Sequence, residues 1–351
     1  MGQGPPHRAG RIPTLDGWRG IAILMVLLAH LQRAYLHHYL FGQRWLDLGQ
    51  HGVTVFFVLS GYLITTGLVA GDRINLQSFY MRRFFRIVPP ALAYLLFLVL
   101  VTRFTSMKVI GDDFWSCILC YRNYVAVTPL TTCTAHFWSL SVEEQFYFVW
   151  PALLALAGRR YGMLVAGLGA ASIAVLRVVC WDYYLHDLRV LHTEVRADAL
   201  FVGCLLALAL QHAAVQDFLR RWGRFLFVPC ALLLALDFYR FDGLLPLHES
   251  IVLALMIGAT VTNPNMILSR FLENDFLKTT GLFSYSIYLW QGLFFRGSWG
   301  VFGFFLLPAS VFLSVLFIER PMIALGRRLA KSCSAFSLRP VASPALCPTQ
   351  E

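Results

Sequence analysis

Apolar residues in this chain come in long blocks, broken by short polar or basic links. About ten blocks read as helices: 18–36, 52–70, 88–104, 138–157, 163–181, 196–213, 223–238, 244–262, 280–296 and 299–318. Most approach the twenty apolar residues needed to cross roughly 30 Å of hydrocarbon. The seventh is short, and the eighth carries His248 and Glu249 near its start. The pattern predicts an all-α, polytopic membrane domain over residues 18–320. A polar leader, 1–17, precedes it, and a tail, 321–351, follows. No small-residue cleavage site follows the first block, so that block is expected to stay in the protein.

Polar residues inside the first block change the picture most. Arg19 and His30 lie eleven positions apart in GWRGIAILMVLLAHLQR. Eleven steps are about three helical turns, so both fall near one face, roughly 16 Å apart along the axis. Inserting a buried ionisable group costs at least roughly 2–3 kcal/mol, and such groups mark functional sites. Histidine can take up and return a proton near neutral pH.

Composition and charge limit the function classes. The chain of 351 residues is 58% hydrophobic and 14% charged, far more apolar than a soluble domain. A net charge of +10 invites a nucleic-acid reading, but its placement argues against one. With the N-terminus taken as cytoplasmic, 18 basic residues fall in inner segments and 8 in outer ones. That asymmetry is a topology signal, and it puts both termini inside.

Further constellations follow along the chain. Ser60 and Gly61 interrupt the bulky second block, either as a packing notch or to make room for substrate beside His30. Arg82, Arg83 and Arg86 precede Pro89 and Pro90 and share a helix face. They serve as inner charge and lipid-headgroup attraction, or as a phosphate clamp. HFWSLSVEEQFYFVWP brings Trp138, Ser139, Glu143, Glu144 and Gln145 into an aromatic helix, which points to a functional cavity. Arg196 and Asp198 are two apart and point to nearly opposite sides; Arg177 is the candidate partner for Asp198 in a structural salt bridge. Tyr285, Ser286, Tyr288 and Gln291 put polar tips in the ninth block, where an aromatic belt is the plainer reading. Glu319, Arg320 and Pro321 read as a structural helix end.

Metal chemistry is not expected. His37, His38 and His51 read as loop histidines, and no second CxxC or histidine pair accompanies Cys117 and Cys120. Cys117, Cys120 and Cys133 fall in one outer loop, where a disulfide and free thiols are both open readings.

The motifs LDGWRG, FFVLSGYLI, FYMRRFFRIVPP, FWSLSVEEQFY, RADALFVGCLL, SYSIYLW and IERP occur in this order over roughly residues 12–328. Together they resemble the acyltransferase 3 family of integral membrane O-acyltransferases. The resemblance implies ten helices with cytoplasmic termini, in a multi-pass protein of a bacterial inner membrane. It implies transfer of an acyl group, often acetyl, from acyl-CoA to a hydroxyl, usually on a cell-envelope or exported sugar, with no permanently bound cofactor. By likeness Arg19 and His30 are the essential pair, Arg83 and Arg86 form the RxxR motif beside Arg82, and Glu143 is the first glutamate of WSLxxE. Gly61, Trp138, Ser139, Arg196, Asp198 and Tyr288 are then the candidate substrate-cavity residues. Two departures stand out. Gln291 occupies a position where many members have histidine. About thirty residues follow the last block, where larger members carry a soluble esterase domain, so a second transfer step is expected to use another protein or not to occur.

The mechanism expected on these grounds has the arginines hold the donor's phosphates at the cytoplasmic mouth. The pantetheine arm then reaches His30, which acts as general base or transient acyl carrier, oriented by Glu143. A proton-coupled transporter or flippase using the same buried groups is the alternative, but no inverted repeat supports it.

Overall fold

The computed structural model describes residues 12–35, 48–71, 74–104, 111–126, 133–180, 183, 191–240, 247–294 and 302–337. The described residues are helical throughout their ordered elements and contain no strand. His37, His38 and the ends of the chain lie outside them.

The helices are α1 (Pro13–Tyr35), α2 (Leu48–Val69), α3 (Leu76–Val101), α4 (Gly111–Ile118) and α5 (Phe137–Val179). They continue as α6 (Thr193–Arg196), α7 (Asp198–Ala209), α8 (Ala213–Arg240), α9 (Leu247–Thr262) and α10 (Ile267–Leu272). The last three are α11 (Asp275–Phe294), α12 (Phe302–Ser314) and α13 (Arg320–Ser337). Among the described residues, five stretches are long and apolar enough to cross a membrane, and a sixth arises if α7 and α8, bent by 105°, count as one span. The protein is an integral membrane protein.

α5 is 43 residues long, or about 64 Å at 1.5 Å per residue, twice the hydrocarbon thickness. Gly158 breaks it at φ 67°, a left-handed conformation that costs glycine little. The break falls between the two blocks that the hydropathy pattern separates.

Three differences from the sequence reading bear on the packing of the site helices. α3 begins at Leu76, twelve residues early, because Asn75 caps it by accepting from the Ser78 N–H at 2.8 Å. Arg82, Arg83 and Arg86 therefore ride on the helix, and Pro89 and Pro90 lie inside it. The chain also does not end its helix at Glu319. A wide π turn, Val315–Glu319, leads directly into α13, and Pro321 directly follows that turn, where the regular i→i−4 ladder is already interrupted. His51 lies buried within α2, not in a loop, and its Nδ1 is 2.8 Å from Glu249 Oε1 on α9.

α2 packs closely against α7, and α1 packs against α2 and α11. At the first contact Gly61 faces the Leu200 carbonyl, where a Cβ would come within 2.0 Å, and Gly203 faces the Val58 carbonyl in the same way. Small residues of this kind bring membrane helices together where lipid supplies no hydrophobic drive. Gly61 is thus a packing notch. Buried indoles are satisfied across helices: Trp18 Nε1 donates to Thr260 Oγ1 at 3.0 Å, and Trp150 Nε1 to Thr65 Oγ1 at 2.9 Å. Phe148, Leu156, Leu164 and Val178 project outward from α5, as side chains facing lipid would.

Candidate active site

Four helices converge on a cavity of about 50 Å³, lined by Arg19 of α1, Val53, Phe56 and Phe57 of α2, Ser139, Leu140 and Glu143 of α5, and Ser284, Tyr285 and Tyr288 of α11. Ser139 and Leu140 each lie about one helical turn before Glu143 on α5, which brings all three to the cavity side. Glu143 accepts from Ser60 Oγ and Tyr147 Oη, each at 3.1 Å. Tyr288 Oη donates to the His136 carbonyl at 2.8 Å, so the Ser139 hydroxyl, 2.6 Å away, is the donor to Tyr288.

A second cavity, of about 230 Å³, lies at the start of α3. Arg82, Arg83 and Arg86 line it with Leu63, Ile64 and Gly67 of α2, Phe79, and Ile323 and Arg327 of α13. Tyr147 joins the two cavities: its hydroxyl reaches Glu143, and its ring lies under the Arg83 guanidinium, 4.5 Å from centroid to Cζ. Arg19 lies within electrostatic range of Asp16, Glu143, Tyr147 and Arg83, and Arg86 within range of Arg19, Arg83 and Glu319. Glu319 is buried and accepts a short hydrogen bond from Ser286. Five guanidiniums, Arg19, Arg82, Arg83, Arg86 and Arg327, thus stand near four carboxylates, Asp16, Glu143, Glu144 and Glu319. Among the described residues only arginines and apolar groups line the second cavity, and that lining suits an anionic ligand.

The remaining sequence candidates lie elsewhere. His30 Nδ1 is 2.8 Å from the Val26 carbonyl, one turn back on its own helix. His30 does not line the Arg19 cavity, and α1 carries it about 16 Å along the axis from that level. Glu143 accordingly sits with Ser60, Tyr147 and the arginines, at the Arg19 level of α1. Asp198 pairs with Arg177 in a buried ion pair. Arg196 stacks over Trp138, 5.4 Å from its ring centroid, and donates to Gln50 Oε1 at 3.1 Å. Neither Arg196 nor Asp198 lines the cavity.

Members of the network that were not singled out as site residues by sequence include Tyr147, Glu319, Arg327 and Ser286. Tyr147 has a readable signal, because it lies one turn after Glu143. Glu319 and Arg327 have none, since their phase depends on the π turn before α13.

Comparison with known proteins bears on this geometry. The family described as an acyltransferase domain, acyltransferase 3, matches residues 12–318. The chain belongs to that family. It is 27% identical to the peptidoglycan O-acetyltransferase OatA of Listeria monocytogenes, over 80% of this chain and 49% of that protein. It is 31% identical to Bacillus subtilis YrhL, provisionally named a peptidoglycan O-acetyltransferase, over 80% of this chain and 48% of that protein. A Staphylococcus aureus protein provisionally named an O-acetyltransferase is 29% identical over 80% of this chain and 50% of its own length. The chain therefore spans about half the length of the curated relatives it matches. No solved structure matches it.

Proposed function

We propose that this chain is a bacterial inner-membrane O-acyltransferase that moves an acyl group, acetyl in the simplest case, from acyl-CoA to a hydroxyl of a cell-wall or exported sugar. The observation that carries this reading is the four-arginine cavity joined through Tyr147 to Glu143 and Arg19, in a chain of the acyltransferase 3 family. The relatives named for peptidoglycan O-acetylation support the choice of acceptor.

In this reading Arg82, Arg83, Arg86 and Arg327 hold the donor's phosphates, and Arg19 extends the cationic path toward the helix centre. Glu143, fixed by Ser60 and Tyr147, is a positioning residue for Arg19 and Arg83. An extended pantetheine arm of roughly 15–20 Å matches the distance along α1 from Arg19 to His30. The thioester C–S bond breaks and the ester C–O bond forms, while His30 passes the hydroxyl proton to the departing thiolate, directly or after carrying the acyl group. Ten spans with both termini cytoplasmic complete the reading, supported by the charge asymmetry and by the break that divides α5 into two membrane lengths.

The test is His30→Ala, assayed in membranes with radiolabelled acetyl-CoA and a peptidoglycan acceptor, with insertion checked by gel filtration. Transfer should fall by at least roughly a hundredfold. Transfer at near the original rate overturns the catalytic role of the imidazole.

A further inference from the structure

A cleft of about 1060 Å³ lies between α8 and the turn that connects α9 to α10, and it shares no residue with the cavities above. One wall carries Arg220, Arg221 and Arg224; the other is apolar, with Met266, Ile267 and Phe271. Among the described residues no carboxylate lines the cleft. Arg220 has the exposed Asp217 3.3 Å away on its own helix, while Arg221 and Arg224 lie over the exposed rings of Trp222 and Phe225 at 5.6 and 4.6 Å. Asn263 fixes the turn by donating to the Leu219 carbonyl at 2.9 Å, and Ser269 holds it by donating to the Asn263 carbonyl at 2.7 Å. The shape is therefore built into the fold.

Its position supplies the ligand. α10 leads into Glu273, which accepts from Thr14 at 3.2 Å, so the cleft lies at the end of the molecule from which α1 starts. Beyond the arginines α8 presents Val228, Leu232 and Leu236 outward, an apolar stripe suited to lipid chains. Trp222 lies among the arginines and Phe225 between them and the stripe, where aromatic residues mark the membrane boundary. A soluble phosphate compound has no use for Ile267, which is 88% exposed, or for Phe271, which is 55% exposed. An amphiphile with an anionic head uses both walls.

We propose that this cleft binds an anionic phospholipid of the surrounding bilayer. Its phosphate lies on Arg220, Arg221 and Arg224, and its acyl chains lie against Phe227, Ile267 and Phe271.

The experiment reconstitutes the full chain in nanodiscs of equal phosphatidylglycerol and phosphatidylcholine, and counts retained lipid by native mass spectrometry after detergent release. The original protein should retain phosphatidylglycerol over phosphatidylcholine. The triple variant R220Q/R221Q/R224Q should lose that preference by at least tenfold, at roughly fivefold for each arginine. If the triple variant fails to fold in phosphatidylcholine alone, R221Q is read instead, with a loss of about fivefold expected. Equal retention of both lipids by the original protein overturns the proposal, and so does an unchanged preference in the folded variant. Release of the bound lipid by millimolar inorganic phosphate or CoA overturns it as well, and assigns the cleft to a soluble anion.

Discussion

Single side chains in this protein are held by pairings that cross the chain over long distances, and these set the cost of changing them. Asp198 and Arg177 are both buried and bonded to each other. Asp198→Asn removes one charge of the pair and strands the other, which should lower stability by about 3–5 kcal/mol, measured by denaturant unfolding in detergent. The double change with Arg177→Met should recover most of that loss; no recovery would show that the two charges act separately. The spacing of Arg196 and Asp198 already indicated separate partners, because residues two apart on a helix face different ways. The His51–Glu249 contact was not legible, since nothing local reveals which helix α2 meets at its start.

At the scale of elements, hydropathy located the helices well and their ends less well. Asn75 starts α3 in a polar stretch that window averaging passes over. The π turn carries helix through Pro321, a residue that in isolation reads as a stop. This continuation gives α13 its part in the candidate site, because α13 packs along α3 and brings Arg327 to the cavity of Arg82, Arg83 and Arg86. Arg327→Ala should raise the apparent KM for acyl-CoA by roughly tenfold while changing kcat little, since a contact to remote phosphates acts on binding of donor and transition state alike. A loss confined to kcat would remove Arg327 from the donor site.

For the molecule as a whole, redox behaviour follows from burial. Cys117, Cys120 and Cys133, for which the sequence left a disulfide open, are free thiols. Burial pushes Cys117 and Cys120 up to about 12. Both should stay protonated at pH 8 and react with maleimide on the order of a thousandfold more slowly than free cysteine, accelerating only as pH rises toward 12. Rapid labelling at pH 8, read by intact-mass spectrometry, would place those thiols in water. The candidate site also has a history written into the order of synthesis. Arg19, Arg83, Arg86 and Glu143 leave the ribosome well over a hundred residues before Glu319 and Arg327. A nascent chain stalled after α11 therefore carries an arginine cluster that lacks Glu319 and its fourth guanidinium, so the cavity at the start of α3 closes only once α13 has emerged.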